Sequence, residues 1–303
     1  MLKATPFIIL LISALAGSLF SESAALAAEP PASAPASPSS FRFLPGASRA
    51  ISHAASASRD TAALGLLMLP RVVVTGGADI AVFAIEGSGL TFRPGFFGML
   101  ELESREETER FLPRASEEVS LWRRLFGYSA AVSFDRFAAR ALGRGGAIEG
   151  TLSYRHESEH FSGPVAQAKG FEKLPQMGDF IMVDMAVRAP FGRWEVETRA
   201  HYKGFVVHGD DPAPYRDGVG ADLIVRFKAM PKLHVFSSTF AEFLIASTPA
   251  EDAYFFRNLT GVAIPGAAGG LSVFAATDIG HGKGFRIDHR GASLGCGLRL
   301  ALQ

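Results

Sequence analysis

The chain of 303 residues has one cysteine, Cys296, so no intramolecular disulfide can hold it together. It carries 30 basic and 30 acidic residues. That balance leaves no basic footprint of the kind nucleic acid requires, and no nucleic-acid partner is expected. Beyond the first 27 residues it has no apolar run of about 18 or more, so no later helix of the membrane-spanning type is expected. It has no Gly-x-Ser-x-Gly nucleophile elbow, and its Gly-rich stretches at 143–146 and 280–284 lack the lysine spacing of a phosphate loop. No cofactor is implied.

What is abundant is apolar residue: 48% of the chain, with 25 Phe. Without helical spans, that surface needs either a soluble β core or a barrel whose outside is the apolar face.

The first 27 residues read as a signal peptide. Lys3 supplies the positive region, Phe7 to Phe20 the apolar run, and Ala25-Leu26-Ala27 a small-x-small cleavage site. Residues 28–63 begin with a Pro/Ala/Ser-rich stretch and read as a low-complexity periplasmic leader. Residues 64–303 show period-two alternation. Trp194, Val196, Thr198, Ala200 and Tyr202 alternate with Glu195, Glu197, Arg199, His201 and Lys203. Leu294, Cys296, Leu298, Leu300 and Leu302 alternate with Ser293, Gly295, Gly297, Arg299 and Ala301.

The pattern predicts about twelve strands (10–12): 66–75, 79–87, 90–103, 124–138, 146–161, 179–190, 194–207, 219–230, 232–246, 253–264, 270–280 and 289–302. The stretches between them sort by length. Those near 88–89, 139–145, 191–193, 231 and 265–269 form one class; 104–123, 162–178, 208–218, 247–252 and 281–288 form a longer one, with a short exception expected at 76–78. A soluble sandwich has no reason to sort its loops in this way. The fold class expected is all-β: a closed antiparallel up-and-down transmembrane β-barrel in the outer membrane of a Gram-negative bacterium. Its polar faces carry close opposite charges that would pair and narrow the interior. The partners expected are outer-membrane lipid, the barrel-assembly machinery and small solutes. The last residue, Gln303, departs from the terminal aromatic usual for barrel assembly.

The most suggestive string is His156-Glu157-Ser158-Glu159-His160. On a helix it is the zinc-protease pattern, with His156 and His160 as metal ligands. Gly150, Thr151 and Ser153 are poor helix formers, and Leu152 and Tyr154 continue the alternation. The position at which the longer zinc motif puts its third ligand is Ala166. On a strand, His156 and Ser158 share the apolar face with Leu152 and Tyr154. A His beside a Ser at a lipid interface has the parts of a general base and a nucleophile for an acyl ester. Three readings stay open: a structural polar patch at the rim, a lipid hydrolase, and a metal site.

The His156-x-Ser158 pair resembles that of the outer-membrane phospholipase and lipid A deacylase barrels, and the resemblance implies Ser158 as nucleophile and His156 as base. Those families place a polar orienting residue about a dozen positions later, where this chain has Gly170; His160 or Glu172 would take that part. The string through Phe161 also resembles the His-x-Ser-Ser-His-Leu motif of an uncharacterised bacterial barrel family (domain of unknown function 1207), with Glu159 in place of the middle Ser. That resemblance implies a fold and no reaction.

Overall fold

The computed structural model describes residues 42–45, 62–68, 71–105, 121–161, 176–206, 215–246, 252–266, 269–281 and 291–302. The expected signal peptide, most of the expected leader, Ala166, Gly170 and Glu172 lie outside the described residues.

Among the described residues there are fourteen strand segments and one helix. The segments are β1 (Arg42–Pro45), β2 (Ala62–Met68), β3 (Arg71–Ala81), β4 (Phe83–Gly87), β5 (Leu90–Arg105), β6 (Leu121–Ser133), β7 (Ala147–Phe161), β8 (Gln176–Phe191), β9 (Trp194–Val206), β10 (Tyr215–Met230), β11 (Leu233–Ala246), β12 (Ala253–Gly266), β13 (Gly269–His281) and β14 (Gly291–Leu302). The helix, α1 (Asp135–Leu142), lies between β6 and β7.

All strands belong to one antiparallel sheet. From β5 to β14 each strand pairs with the next in sequence. β14 also pairs with β2, β2 with β3, and β3 with β5. β3 and β4 act as one strand along the edge of β5, because the Val82 N–H between them still donates to the Pro94 carbonyl at 2.9 Å. β1 pairs with β4 alone.

The connections at one end are short. Ser88 and Gly89 join β4 to β5, both at positive φ (54° and 79°), as a two-residue hairpin turn requires. Gly192 and Arg193 join β8 to β9, and Arg193 donates to the carbonyls of Lys228 and Ala229 across the neighbouring turn. The stretches 106–120, 162–175, 207–214 and 282–290 join strands at the other end.

Two expectations are corrected. No turn interrupts the chain at 76–78, which lies within β3; β3 pairs with β2 ahead of it, through Met68 and Arg71. Gly76 and Gly77 are held extended opposite Leu100 and Met99. The strand expected over 124–138 ends at Ser133, and the turn expected at 139–145 is largely helix. Four of the eight helix residues are Ala or Leu, and Asp135 in the first turn suits the positive end of a helix. Asp135 accepts a 2.6 Å hydrogen bond from Thr91, and Ala138 is buried, so α1 is seated on that end of β5.

The two faces of the sheet are inverted relative to a water-soluble protein. Large apolar residues are exposed on one face: Phe96, Leu100, Phe126, Leu152, Ile181, Val183, Met185, Leu223 and Val273 among them. Charged residues are buried on the other. Arg93 pairs with Glu149; Arg199 lies 3.3 Å from Asp184, Lys203 2.5 Å from Glu242, and Arg257 holds Asp278 in a fork at 2.7 Å. Arg226 bonds Glu195 at 2.6 Å and reaches Glu197 at 3.3 Å. Aromatic and aliphatic side chains fill the space between these pairs: Phe97, Met99, Leu125, Phe180 and Met182 in one cluster, Phe236, Leu259 and Phe274 in another. The Arg155 guanidinium lies over the Phe97 ring, 4.6 Å from its centroid, and is 2% exposed.

Candidate functional site

The His-Glu-x-x-His string lies on β7, in strand conformation throughout. Its odd-numbered members turn inward: Thr151, Ser153, Arg155 and Glu157 are buried. Its even-numbered members share the outward pleat, where Leu152 and Tyr154 are 54% and 41% exposed.

The strand geometry removes the protease arrangement. Four residues along a strand separate the Cα atoms of His156 and His160 by roughly 13 Å, whereas a helix would stack them one turn apart. Among the described residues no group of three His, Cys, Asp or Glu is placed to hold a metal.

His156 is half-buried, and its neighbours come from the two flanking strands. Register sets Phe126 of β6 on one side and Asp179 of β8 on the other. The Phe126 ring lies 4.8 Å from the imidazole centroid. The His156 Nδ1 lies 2.8 Å from Asp179 Oδ1. Beside a carboxylate acceptor, Nδ1 carries the hydrogen, and Nε2 then presents a lone pair. The Tyr154 hydroxyl also hydrogen-bonds Asp179. One outward carboxylate therefore holds two side chains of the adjacent strand.

Gly127, on the inward phase of β6, permits the close approach of β6 and β7 at Tyr154. A Cβ there would sit 2.0 Å from the Tyr154 carbonyl oxygen and 2.8 Å from the Phe97 ring.

Ser158 follows His156 on the same pleat, but only 3% of it is exposed. It pairs in register with Arg124, which is exposed, and with Met177. His160 lies opposite Trp122 in register; its side chain is outside the described set. The structure therefore sets His156 and Ser158 two positions apart on one pleat and adds Asp179 beside His156.

Asp179 had a readable signal in the sequence. It occupies the apolar phase of β8, in line with Ile181, Val183 and Met185. A carboxylate in that phase is out of pattern. The same signal marks Asp217 in β10, in phase with Val219, Ala221 and Leu223. Asp217 accepts a 2.5 Å hydrogen bond from Tyr202 of β9 and lies 2.6 Å from Arg216. The Tyr–Asp pair is thus built twice, once with a histidine and once with an arginine.

No family model matches the chain, and no curated protein matches it. The resemblances drawn from the His-x-Ser string rest on that string alone. Among solved structures the chain is similar to the β domain of the Bordetella autotransporter Brka, at 10% identity, covering 76% of this chain and 91% of that one, with a TM-score of 0.34. It is also similar to the translocator domain of the autotransporter NalP from Neisseria meningitidis, at 13% identity over 78% and 84% of the two chains, TM-score 0.34. A third likeness is to OmpT of Vibrio cholerae, at 10% identity over 76% and 88%, TM-score 0.34. Likenesses of this size assign the chain to none of the three.

Proposed function

We propose that the chain forms a closed up-and-down β-barrel of twelve strands in the outer membrane of a Gram-negative bacterium. β3 and β4 count as one strand, and β1 lies outside the ring. Residues 1–27 direct export, residues 28–63 form the periplasmic leader, and the barrel-assembly machinery inserts residues 64–303. The observation that carries this reading is the inversion of the two faces. Exposed Phe, Leu, Ile and Val on one side and paired Arg, Glu and Asp on the other suit a lipid surround, and no sheet surrounded by water gains from that arrangement. The ladder from β14 to β2 to β3 to β5 to β6 supports closure. The short connections then face the periplasm and the long ones the exterior.

The filled interior argues for a barrel that carries no wide solute stream. The test is a pair of measurements on detergent-extracted protein. Unboiled protein should migrate differently from boiled protein on a gel, and its conductance in a planar bilayer should stay well below that of a wide porin. Solubility without detergent, or a large helical signal by circular dichroism, contradicts the barrel.

A second reading is favoured by one contact, His156 to Asp179 at 2.8 Å. It makes the outer rim a lipid acyl-ester hydrolase. Ser158 Oγ attacks the ester carbonyl while His156 Nε2 takes its proton. The same proton passes to the departing alcohol, and water then releases the fatty acid from Ser158. Asp179 takes the orienting part, in place of His160 or Glu172. Purified protein in mixed micelles should release fatty acid from phospholipid or lipid A, and Ser158→Ala should abolish the release. Equal release from that variant removes Ser158 from the mechanism.

A further inference from the structure

The outward face of β11–β13 is polar where an outward face should be apolar. Asn258 of β12 donates through Nδ2 to Thr239 Oγ1 at 2.9 Å and to Ser237 Oγ at 3.2 Å, both on β11. Thr260 donates to Asn258 Oδ1 at 2.9 Å and lies 3.2 Å from Ser237 Oγ. Register adds Thr277 and Ala275 of β13 beside Asn258 and Thr260.

The position of this patch matters more than its composition. On β12 the outward positions on one side of it are Tyr254 and Phe256, and on the other Val262 and Ile264. On β13, Ile279 lies to one side and Val273 and Leu271 to the other. The patch is therefore enclosed by apolar surface toward both ends of the strands. It is not a rim feature that water or lipid headgroups would reach.

We infer that this patch is the contact through which two copies of the chain associate in the membrane. The inference rests on the barrel reading above. Hydroxyl and amide groups facing hydrocarbon are disfavoured, and a protein neighbour relieves them. The patch holds no ionisable residue. Its groups both donate and accept, so it is complementary to itself, which is what a twofold contact demands. Two copies inserted in the same direction are related by an axis along the membrane normal. Such an axis brings the patch to its own depth on the partner, whereas an unrelated membrane protein would need a matching patch at that depth. The side chains are also small, so the two walls can approach closely.

Cys296 gives a native probe. It is exposed, and register places it beside Ala275, which in turn is beside Thr260. Two strand spacings put it roughly 10 Å from the centre of the patch. The experiment uses the full exported chain in neutral micelles and in phospholipid vesicles. Sedimentation in density-matched detergent should report a dimer, and a bis-maleimide with a spacer of about 20 Å should join two chains through Cys296, because a twofold axis through the patch doubles that spacing. Asn258→Leu with Thr260→Val should weaken the dimer by roughly tenfold or more. That change suits lipid, so the monomer should stay folded, as shown by the unchanged gel shift on boiling. Wild-type protein that shows the boiling shift yet sediments as a monomer means that lipid or another protein covers the patch, and it overturns the dimer alone. A double variant that dimerises as well as wild type overturns it too. Absence of the boiling shift in wild type counts against the barrel itself.

Discussion

The wall built by β6–β8 and the wall built by β11–β13 both turn polar side chains outward, but at different heights and with different chemistry. On β7 the outward positions beyond His156 are Ser158 and His160, and on β6 the position beyond Phe126 is Arg124. Beyond His156 the outward positions mix polar residues with Met177 and Trp122, and the polar groups of this wall include an acid, a base and a cation. On β12 apolar residues lie on both sides of Asn258 and Thr260, and every polar group is neutral. On the barrel reading, depth selects the kind of polar group: charged side chains turn outward where water or headgroups can solvate them, whereas the patch around Asn258 holds only amide and hydroxyl groups.

The sharpest way to separate the walls is through rate. On the hydrolase reading, Asp179→Asn strips His156 of its orienting carboxylate and should lower fatty-acid release on the order of 10³- to 10⁴-fold. Asp217→Asn alters the sister Tyr–Asp pair, which has no histidine, and should leave release within about twofold of wild type. Assaying both variants in the same micelles decides the matter. Equal losses would mean that both acids only hold the rim together.

A charge moved between the walls tests the height argument. Thr260→Arg places a cation inside the apolar band and should cost about 2–4 kcal/mol of folding free energy in vesicles. Phe126→Arg places one at the level of His156 and should cost about 0–1 kcal/mol at the interface. Urea titration of vesicle-inserted protein measures both. Equal costs would put the two patches at one depth.

Much of the architecture was legible because strand alternation is a local property with a period of two. Trp194 to Tyr202 and Leu294 to Leu302 could be assigned to a face before any pairing was known. The charges on the buried face of β8–β10 were visible for the same reason. The extended path through 76–78 was not, since Gly76-Gly77 is a strong local turn signal and only the pairing with β5 keeps it extended. Helix α1 was hidden because its first half fitted a continuation of β6, read as a strand over 124–138, and its second half fitted a turn at 139–145. The candidate site was half legible. His156 and Ser158 lie on one strand and announce themselves by spacing. Asp179 comes from the next strand, 23 residues on, and its contact depends on a register that loop residues 162–175 do not reveal. Asn258 shows the limit from the other side: Asn258-Leu259-Thr260 reads as a glycosylation pattern, and only the outward hydrogen bonds to β11 give it another meaning.

The smallest expected effect separates the two Tyr–Asp pairs themselves. Tyr202→Phe removes one hydroxyl from Asp217, and Arg216 at 2.6 Å still holds that acid. Tyr154→Phe removes one hydroxyl from Asp179, and His156 at 2.8 Å still holds that one. Tyr202 and Tyr154 are 47% and 41% exposed, so neither change opens a cavity and each should cost about 0.5–1.5 kcal/mol or less. The pairs should part in size. Arg216 adds an ion pair to Asp217, so the Tyr202→Phe cost should be the smaller of the two. Urea midpoints of both variants measure the contrast, and equal shifts would show that the arginine and the histidine hold their acids alike.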